Sequence, residues 1–324
     1  MHQTSASSVR DVIIIGSGIS GLSAARTLKQ SGREPLILDK GRRIGGRCST
    51  KRKDGYCFNH GAQFFTTRDS DFHTLTIQAA ERQSACLWSF GHHSPAYIGM
   101  PTMRDFASFL GRDFDHRQDV KVTNITKDND LYHLTDEAGT HYSAHHVIIT
   151  APAPQAAILV ADCDTHLSQT AQTAIYDPCW TVMLALEEEA YKKAPILPLP
   201  VRDDTIIGWA NFEPSRLPDK ATSPYLPAIT IQANPAHSQK MLHWDKQDVI
   251  DTLAEAYFAA IGQEMVVKFA LAHRWLYARV AKAADDDHPF INSDHTLALA
   301  GDYFGTARIE SAYLSGRRAA LALR

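Results

Sequence analysis

A glycine-rich turn near the start of the chain has the residue types and spacing that bind a pyrophosphate. Gly16, Gly18 and Gly21 directly follow the apolar run DVIII, in the order Gly-x-Gly-x-x-Gly. The first glycine permits a tight turn, the second lets the backbone approach phosphate, and the third lets a helix pack closely on a strand. Ile19 and Ser20 begin that helix, whose free N–H groups and partial positive charge favour an anion. The pattern predicts a dinucleotide site.

A carboxylate lies where the adenosine ribose of such a dinucleotide is expected. Asp39 ends the apolar segment PLILD, 18 residues after Gly21, and Lys40 follows it. A carboxylate at this position accepts hydrogen bonds from the ribose hydroxyls and repels a 2′-phosphate. Together with the flanking strand and helix, it distinguishes a real dinucleotide site from a chance glycine pattern.

A second glycine pair indicates which dinucleotide binds. Gly45 and Gly46 stand directly before Arg47. The glycines allow another close backbone approach, and Arg47 can neutralise a second phosphate face with both arms of its guanidinium. A domain that binds only NAD has no need of this pair, and the neighbouring Lys and Arg residues are interpreted as solvated. We therefore expect FAD.

The elements that must position these residues follow from apolar periodicity. The pattern predicts strands at Val12–Ile15, Pro35–Lys40, Trp180–Leu186, Thr205–Ala210, Ala228–Gln232, Val266–Ala270 and Thr296–Asp302. It predicts helices from Ile19 to about Ser31, over Asp248–Ile261, and from Ile309 onward. Residues 119–145 alternate as an antiparallel meander, and 146–154 give a further buried strand closed by prolines.

Strand–turn–helix units are predicted near the start and near the end of the sequence, and antiparallel strands are predicted between them. This order indicates a mixed α/β and α+β fold, in which a Rossmann-type nucleotide domain is interrupted by an antiparallel-sheet substrate domain. We expect residues 1–70, 105–160 and 290–324 to form the FAD-binding domain. Residues 71–104 and 161–289 are expected to form the substrate-binding domain.

The composition is that of an ordinary globular protein. A net charge of -3 gives no general attraction to nucleic acid or to an anionic membrane. The five cysteines have no CxxC spacing, which predicts free thiols in a reducing cytosol. We find no secretion signal and no apolar span of the ~20 residues that cross a membrane, so a cytoplasmic location is expected. The acidic runs at 187–189 and 285–288 are interpreted as solvated, and no metal site is predicted.

Five blocks in family order give the chain its resemblance to the flavin-containing amine oxidase superfamily and, more narrowly, to the renalases, especially the bacterial ones. The blocks are DKGRRIGGR (39–47), GAQFFT (61–66), HVIITAPAPQA (146–156), LAHRWLYAR (271–279) and GDYFGTARIESAYLSG (301–316). The resemblance implies a fold similar to p-hydroxybenzoate hydroxylase. It implies oxidation of dihydronicotinamide dinucleotides reduced at ring position two or six, with O2 as the second substrate and NAD(P)+ and hydrogen peroxide as products. Because no cysteine lies near Phe304, noncovalent FAD is expected. We also expect a monomer or a weak homodimer.

The resemblance also implies further site residues. Asp302 follows a buried strand and is placed to accept hydrogen bonds from the ribityl hydroxyls. The helix from Ile309 points its N-terminus at the pyrimidine edge of the flavin. The predicted FAD contacts beyond the two glycine motifs are Gly61, Ala62, Gln63, Val122, Trp275, Gly301, Asp302, Ile309 and Ala312. The predicted catalytic group is His273, Arg274, Gln63 and Phe64.

The roles within the catalytic group differ. On a strand, His273 and Arg274 face opposite sides, so only one of them can face the reacting ring. Arg274 reaches either a substrate phosphate or a carboxylate at the domain interface, and His273 is either active or structural. Gln63 and Phe64 are expected to form the wall of the pocket. Ser311 departs from the glycine that the family often has, and it is expected to add bulk near the flavin edge.

Two other functions stay open. An amine oxidase fits the same superfamily, and lack of a cysteine near Phe304 removes only the covalent-flavin members. An NAD(P)H-dependent monooxygenase or reductase is the second alternative. No second Gly-x-Gly-x-x-Gly pattern is present for a separate NADPH domain, which weighs against the two-domain reductases.

Overall fold

The computed structural model describes residues 9–88, 95–187, 205–217, 225–285 and 289–324. The strands, in chain order, are β1 (Arg10–Ile15), β2 (Leu36–Leu38), β3 (Lys51–Lys53), β4 (Tyr56–Phe58), β5 (Phe65–Thr66), β6 (Ala85–Trp88), β7 (Ala96–Gly99), β8 (Asp115–Arg117), β9 (Val122–Asp128), β10 (Leu131–Asp136), β11 (His141–Ile149), β12 (Ile175–Leu186), β13 (Ile207–Phe212), β14 (Ala228–Ala233), β15 (Val267–Lys282) and β16 (Leu297–Leu299). The α-helices are α1 (Ile19–Gln30), α2 (Ser70–Glu81), α3 (Met103–Gly111), α4 (Ala153–Val160), α5 (Thr165–Gln172), α6 (Pro235–Lys240), α7 (Lys246–Ile261) and α8 (Ile309–Ala322).

A seven-stranded sheet carries the glycine-rich turn. Its order is β8-β2-β1-β11-β10-β9, and β16 lies beside the end of β11. Strands β8, β2, β1, β11 and β16 are parallel, whereas β9 and β10 form the antiparallel meander. Successive residues of β1 enter different cores: Val12 and Ile14 pack with α1 and α8, and Ile13 and Ile15 pack with α4 and α5. The sheet is therefore covered on both faces, as a Rossmann-type sheet requires.

Helices α1 and α8 pack closely through a glycine. A Cβ on Gly316 of α8 would lie 1.9 Å from the backbone oxygen of Ser20 in α1. The C-terminal helix is thereby held directly against the helix that follows the glycine-rich turn. This contact joins segments that are distant in sequence in one packed unit.

A second sheet is wholly antiparallel and has the order β13-β14-β12-β15. Its apolar face packs on α7, where Leu253 and Tyr257 meet Trp180 and Ile231 in one buried cluster. Strands β12 and β15 are long and pair over most of their length, from Ile175 to Leu186. This sheet forms the opposite wall of the cleft described below.

The segment 71–104 packs differently from its predicted assignment to the substrate domain. Phe72 and Leu75 of α2 and Tyr97 of β7 lie in the same core as Leu22 of α1. Phe72 also contacts Tyr313 of α8, with ring centroids 4.9 Å apart. The packing therefore favours placing this segment with the nucleotide-binding unit. The apolar pattern of its sequence did not indicate which unit it packs against.

The predicted α/β fold is confirmed, with corrections to individual elements. The first strand, the first helix, the meander, α7 and α8 are found where the pattern places them. Strand β15 is much longer than the predicted Val266–Ala270, because pairing with β12 continues through His273 and Arg274. The predicted break before His146 is absent, since β11 runs unbroken from one sheet partner to the next.

Three further points concern the sequence-based expectations. Within the part of the chain that the structure describes, no helix has the length and apolar character to cross a membrane. The described cysteines are free thiols. The acidic runs at 187–189 and 285–288 lie largely outside the described residues.

Candidate functional site

A cleft of about 2400 Å³ separates the carboxyl ends of the parallel strands from β15. Ile15, Leu38 and Thr150 mark the strand ends on one side, and residues 271–279 of β15 line the other. Ligands bind at this edge of Rossmann-type sheets. A pocket for a drug-sized ligand measures roughly 300–1,000 Å³, so this cleft has room for a dinucleotide and a second molecule.

Two of the three glycines are required by the protein's own packing. Gly16 has φ +110, and a Cβ there would lie 2.4 Å from Oγ1 of Thr150. A Cβ on Gly21 would lie 2.0 Å from the carbonyl oxygen of Gly16. A side chain at Gly16 would collide with Thr150 after β11, and one at Gly21 would push α1 away from the turn after β1.

Gly18 is different, because the protein does not require a glycine there. Its φ of -73 suits any residue, and a Cβ would meet nothing within 4 Å. Gly18 is also the N-cap residue of α1 and lines the cleft. No described side chain caps the N–H groups of the first turn of this helix. Beside Gly18, the hydroxyl of Ser20 is buried without a hydrogen-bond partner among the described residues. Open space, uncapped N–H groups and an orphaned hydroxyl fit a pyrophosphate.

Asp39 holds the backbone around the glycine-rich turn. One carboxylate oxygen accepts from the N–H of Ser17 at 2.5 Å, and the other accepts from the N–H of Gly41 at 2.6 Å. Each oxygen keeps a second lone pair, so the predicted ribose contact stays a prediction that the geometry permits. The Nζ of Lys40 donates to Oε1 of Gln155 across the cleft rim at 2.8 Å.

Arg47 has a different partner from the phosphate predicted for it. Its two terminal nitrogens donate to both carboxylate oxygens of Asp302, each at 2.7 Å, and one also donates to the carbonyl of Ala278 at 3.2 Å. Burial disfavours the charged guanidinium, but Asp302 outweighs that effect and raises the pKa of Arg47 above its ordinary value. In the structure, the bidentate geometry of Arg47 therefore serves an ion pair.

The loop after β4 packs directly on Arg47. A Cβ on Gly61 would lie 1.9 Å from the carbonyl oxygen of Arg47, and the N–H of Ala62 donates to that oxygen at 2.8 Å. The side-chain amide of Gln63 donates to the carbonyls of Asn59 and Gly61 at 2.5 Å and 3.0 Å. Gln63 is 6% exposed, so these contacts favour a positioning role over the predicted catalytic one.

A buried polar network behind this loop was not predicted from the sequence. Arg216 donates to Oε1 of Gln63 at 3.0 Å and also to the Gln63 carbonyl. Glu213 is fully buried and accepts from the backbone and side chain of Asn59 at 2.9 Å and 2.8 Å, and from Thr230 at 2.5 Å. The only local signal is the Glu-x-x-Arg spacing, which lies between two predicted strands.

His60, His273 and Trp275 form an aromatic group on the cleft wall. Trp275 stacks on His60 at 5.3 Å, and its Nε1 donates to the carbonyl of His60 at 2.9 Å. His273 meets both rings edge-on, at 4.3 Å and 5.1 Å. Burial, with His273 as a smaller cause, lowers the pKa of His60 to about 3. Burial is also the largest cause that lowers the pKa of His273, and the charges of Lys51 and Lys246 lower it further. The rings of His60 and His273 are therefore neutral at pH 7.

Arg274 lies on the other face of β15. Its guanidinium stands 5.7 Å from the ring centre of Trp180, and Nη1 donates to the carbonyl of Leu242 at 2.5 Å. The opposite orientation of His273 and Arg274 was predicted from the strand period. The substrate contact suggested for Arg274 competes with this packing and stays a prediction.

Phe64 belongs to an aromatic wall on the far side of the cleft. Its ring lies 5.5 Å from Trp209 and 5.6 Å from Trp88. Phe64 and Trp209 both line the cleft, and Nε1 of Trp209 is buried with no hydrogen-bond partner in the described part of the chain. Trp209 was not singled out by the sequence, because aromatic residues occur equally often in plain cores.

The N-terminus of α8 reaches the cleft through Ile309 and Ala312. Ser311 does not line the cleft: its hydroxyl lies 2.9 Å from Oγ1 of Thr306. The bulk expected from this serine is thus directed toward its own loop. Glu310 is buried and accepts from the N–H groups of Arg68 and Asp69 at 2.5 Å and 2.8 Å, which fixes α8 to the start of α2.

The remaining predicted contacts also lie along the cleft. Val122, at the start of β9, and Gly301, after β16, both line it. Gly301 is extended, with φ 169, and a Cβ there would lie 2.4 Å from the ring of Tyr303. Of all the predicted site residues, Gly21 alone lies behind the cleft surface, in the contact between α1 and β1.

Comparison with known families agrees with this geometry. Residues 14–76 match the NAD(P)-binding Rossmann-like domain, and residues 103–323 match the flavin containing amine oxidoreductase family. The second match covers more than half of the chain, so the protein belongs to the flavin-containing amine oxidoreductases. It is an oxidoreductase, and FAD is its cofactor.

Individual relatives are similar over short stretches. A possible lysine-specific histone demethylase 1 from Drosophila melanogaster is 47% identical over 55 residues, which is 17% of this chain and 6% of that protein. A putrescine oxidase from Kocuria rosea is 38% identical over 66 residues, or 20% of this chain and 14% of that protein. The chain thus spans only a small part of these relatives' lengths.

One solved structure shares the complete fold. The crystal structure of a putative protoporphyrinogen oxidase from Exiguobacterium sp. 255-15 has a TM-score of 0.75 and covers 98% of this chain and 99% of that one. Its sequence identity is 11%, so the likeness concerns the fold.

Proposed function

We propose that the protein is a renalase-type oxidase that converts dihydronicotinamide dinucleotides reduced at ring position two or six into NAD(P)+. The net reaction consumes the dihydronicotinamide, O2 and one proton, and it yields NAD(P)+ and hydrogen peroxide. The donor holds a weak C–H bond, so the reaction depends on orientation and needs no strong acid or base. The neutral state of His60 and His273 agrees with such chemistry.

The charge of the cleft is the observation that carries the proposal. The whole chain has a net charge of -3. Yet thirteen Lys and Arg residues line the cleft, against two carboxylates among the described residues, Asp39 and Asp302. Asp302 is already paired with Arg47. Such a surface attracts an anionic dinucleotide and repels a cationic amine.

The residues that would hold FAD follow the cleft from end to end. Asp39 would receive the adenosine ribose, and the uncapped N-terminus of α1 at Gly18 and Ser20 would receive the pyrophosphate. Gly61, Trp275 and the N-terminus of α8 would surround the ring system. Bound FAD supplies a two-electron acceptor that takes a hydride and returns electrons to O2.

The chain's own residues then arrange the substrate. Phe64 and Trp209 on one wall and Trp275 on the other would exclude water from a ring bound between them. The Gln63–Arg216 contact holds the loop that carries Phe64. We assign 1–160 and 290–324 to the FAD-binding unit and 161–289 to the substrate-binding unit, moving 71–104 on account of its packing.

An amine oxidase is the second candidate, and it rests on the family match. The two functions are separated by steady-state oxygen consumption with mixed dihydronicotinamide isomers and with a panel of primary amines and polyamines. Turnover with the isomers alone is the expected result. Turnover with amines alone would overturn the proposal.

A further inference from the structure

Four cations gather on the cleft wall without carboxylate partners. Arg43, Lys51, Arg52 and Arg104 all line the cleft. Among the described residues, none of them has a carboxylate oxygen within 4.0 Å. Burial, followed by the charges of Arg43 and Arg52, lowers the pKa of Arg104. Like charges held together in a cleft are stabilised by a bound anion.

Arg104 is the most enclosed member of this cationic cluster. It lies in the first turn of α3, where its Nη2 donates to Oγ of Ser49 at 2.9 Å. Its Nε is buried without a hydrogen-bond partner among the described residues. The neighbouring Asp105 is engaged in its own helix cap, where it accepts from the N–H and hydroxyl of Thr102. Donors of Arg104 are therefore left for a ligand.

Lys51 connects the cationic cluster with the aromatic group. Its charge contributes to the lowered pKa of both His60 and His273. Lys51 and Arg52 stand on the exposed strand β3, where Lys51 pairs with Phe58, two residues before His60. The cluster thus leads outward from the end of the cleft where His273 and Trp275 lie. The FAD pyrophosphate is assigned elsewhere, to Gly18 and α1.

We propose that Lys51, Arg52 and Arg104, with Arg43 behind them, bind the pyrophosphate of the dinucleotide substrate. The assignment rests on the proposed function and names the part of the substrate that the cluster recognises. Guanidinium groups suit this task, because their paired N–H groups match phosphate oxygens. Affinity for the substrate then comes from its phosphates, and the nicotinamide ring is left free to take its reactive orientation.

The test compares substrates with and without phosphates. Arg104→Met and Lys51→Met are measured in the FAD-loaded enzyme with dihydronicotinamide dinucleotide isomers and with N-methyl dihydronicotinamide isomers. We expect KM for the dinucleotide to rise about tenfold or more while kcat changes little, since each variant removes a charged hydrogen-bond donor. For the N-methyl compound, KM and kcat of both variants should equal those of the wild type. Arg317→Met is the matched control, because Arg317 does not line the cleft and pairs with Asp71 at 2.8 Å, so KM for the dinucleotide should stay at the wild-type value.

A binding measurement keeps this proposal separate from the proposed function. Titration calorimetry with ADP-ribose, which carries the pyrophosphate but no nicotinamide, should show binding to the wild-type holoenzyme and weakened binding to both variants. Equal binding by wild type and variants would overturn the subsite even if the isomers are oxidised. Loss of FAD from the variants would assign the cluster to the cofactor and also overturn it. Weakened binding would support the subsite even if no dihydronicotinamide were oxidised, an outcome that would reject the proposed function alone.

Discussion

Arg47 and Asp302 are 255 residues apart in sequence, yet they are joined by two hydrogen bonds of 2.7 Å. The pair links the loop after β2 with the turn after β16. Asp302 is 7% exposed and Arg47 is 32% exposed on the cleft side, so the pair is largely shielded. This contact joins two distant segments at the cleft, and it places a neutralised carboxylate in the cleft lining.

Removal of one partner of this pair should destabilise the protein. Asp302→Ala leaves the Arg47 charge without its counterion, and breaking such a pair costs about 3 kcal/mol. We expect a lower free energy of unfolding in urea and a largely flavin-free protein. The double variant Arg47→Met, Asp302→Leu should recover much of the stability but little FAD. Normal FAD content in Asp302→Ala would contradict the site assignment.

Gly18 and Gly16 should respond differently to substitution. Gly18→Ala and Gly18→Val place their side chains in space that the protein leaves open, so the apoprotein should keep its thermal stability and lose FAD affinity. Gly16→Ala forces a side chain into a left-handed conformation against Thr150, which should cost about 2 kcal/mol or more. Apoprotein melting and FAD titration measure the two effects separately. Unaltered FAD affinity in Gly18→Val would show that the pyrophosphate lies elsewhere.

His60 should make the protein acid-sensitive. Its pKa is about 3 in the folded state against about 6.5 in the unfolded chain, so the unfolded state binds more protons between these values. Stability from the neutral ring is therefore complete above pH 6.5 and is lost as the pH falls toward 3. Between pH 7 and pH 5, the free energy of unfolding of the wild type should fall by about 2 kcal/mol more than that of His60→Phe. Urea unfolding at the two pH values measures the difference, and an unchanged difference would contradict the burial argument.

His273 and Arg274 are adjacent but should have distinct phenotypes. His273→Ala opens the aromatic group on the cleft wall, so we expect retained FAD and a slower reductive half-reaction, by about tenfold. Arg274→Met removes an exposed contact with the Leu242 carbonyl, which should cost about 1 kcal/mol of stability and leave the half-reaction rate unchanged. Stopped-flow reduction and thermal melting separate the two. Equal rates in wild type and His273→Ala would assign the histidine to structure.

The sequence predicted the local geometry around the glycine-rich turn better than the packing of the opposite cleft wall. Gly16, Gly18 and Asp39 follow local rules, because a strand, a turn and a helix fix their positions within about 30 residues. The Arg47–Asp302 pair depends on the alignment of distant segments, so a phosphate was the only partner that local reasoning suggested for Arg47. His60, Trp209 and Arg216 had no motif. Their roles arise from tertiary packing, which periodicity does not encode.

The proposed oxidation of dihydronicotinamide dinucleotides is tested most directly by anaerobic titration of the FAD-loaded protein with the purified two- and six-position isomers. We predict complete loss of the oxidised flavin's visible absorbance at one equivalent of isomer per FAD, with one equivalent of NAD(P)+ formed. Amines should leave the spectrum unchanged. Bleaching by amines with no response to either isomer would contradict the proposed function.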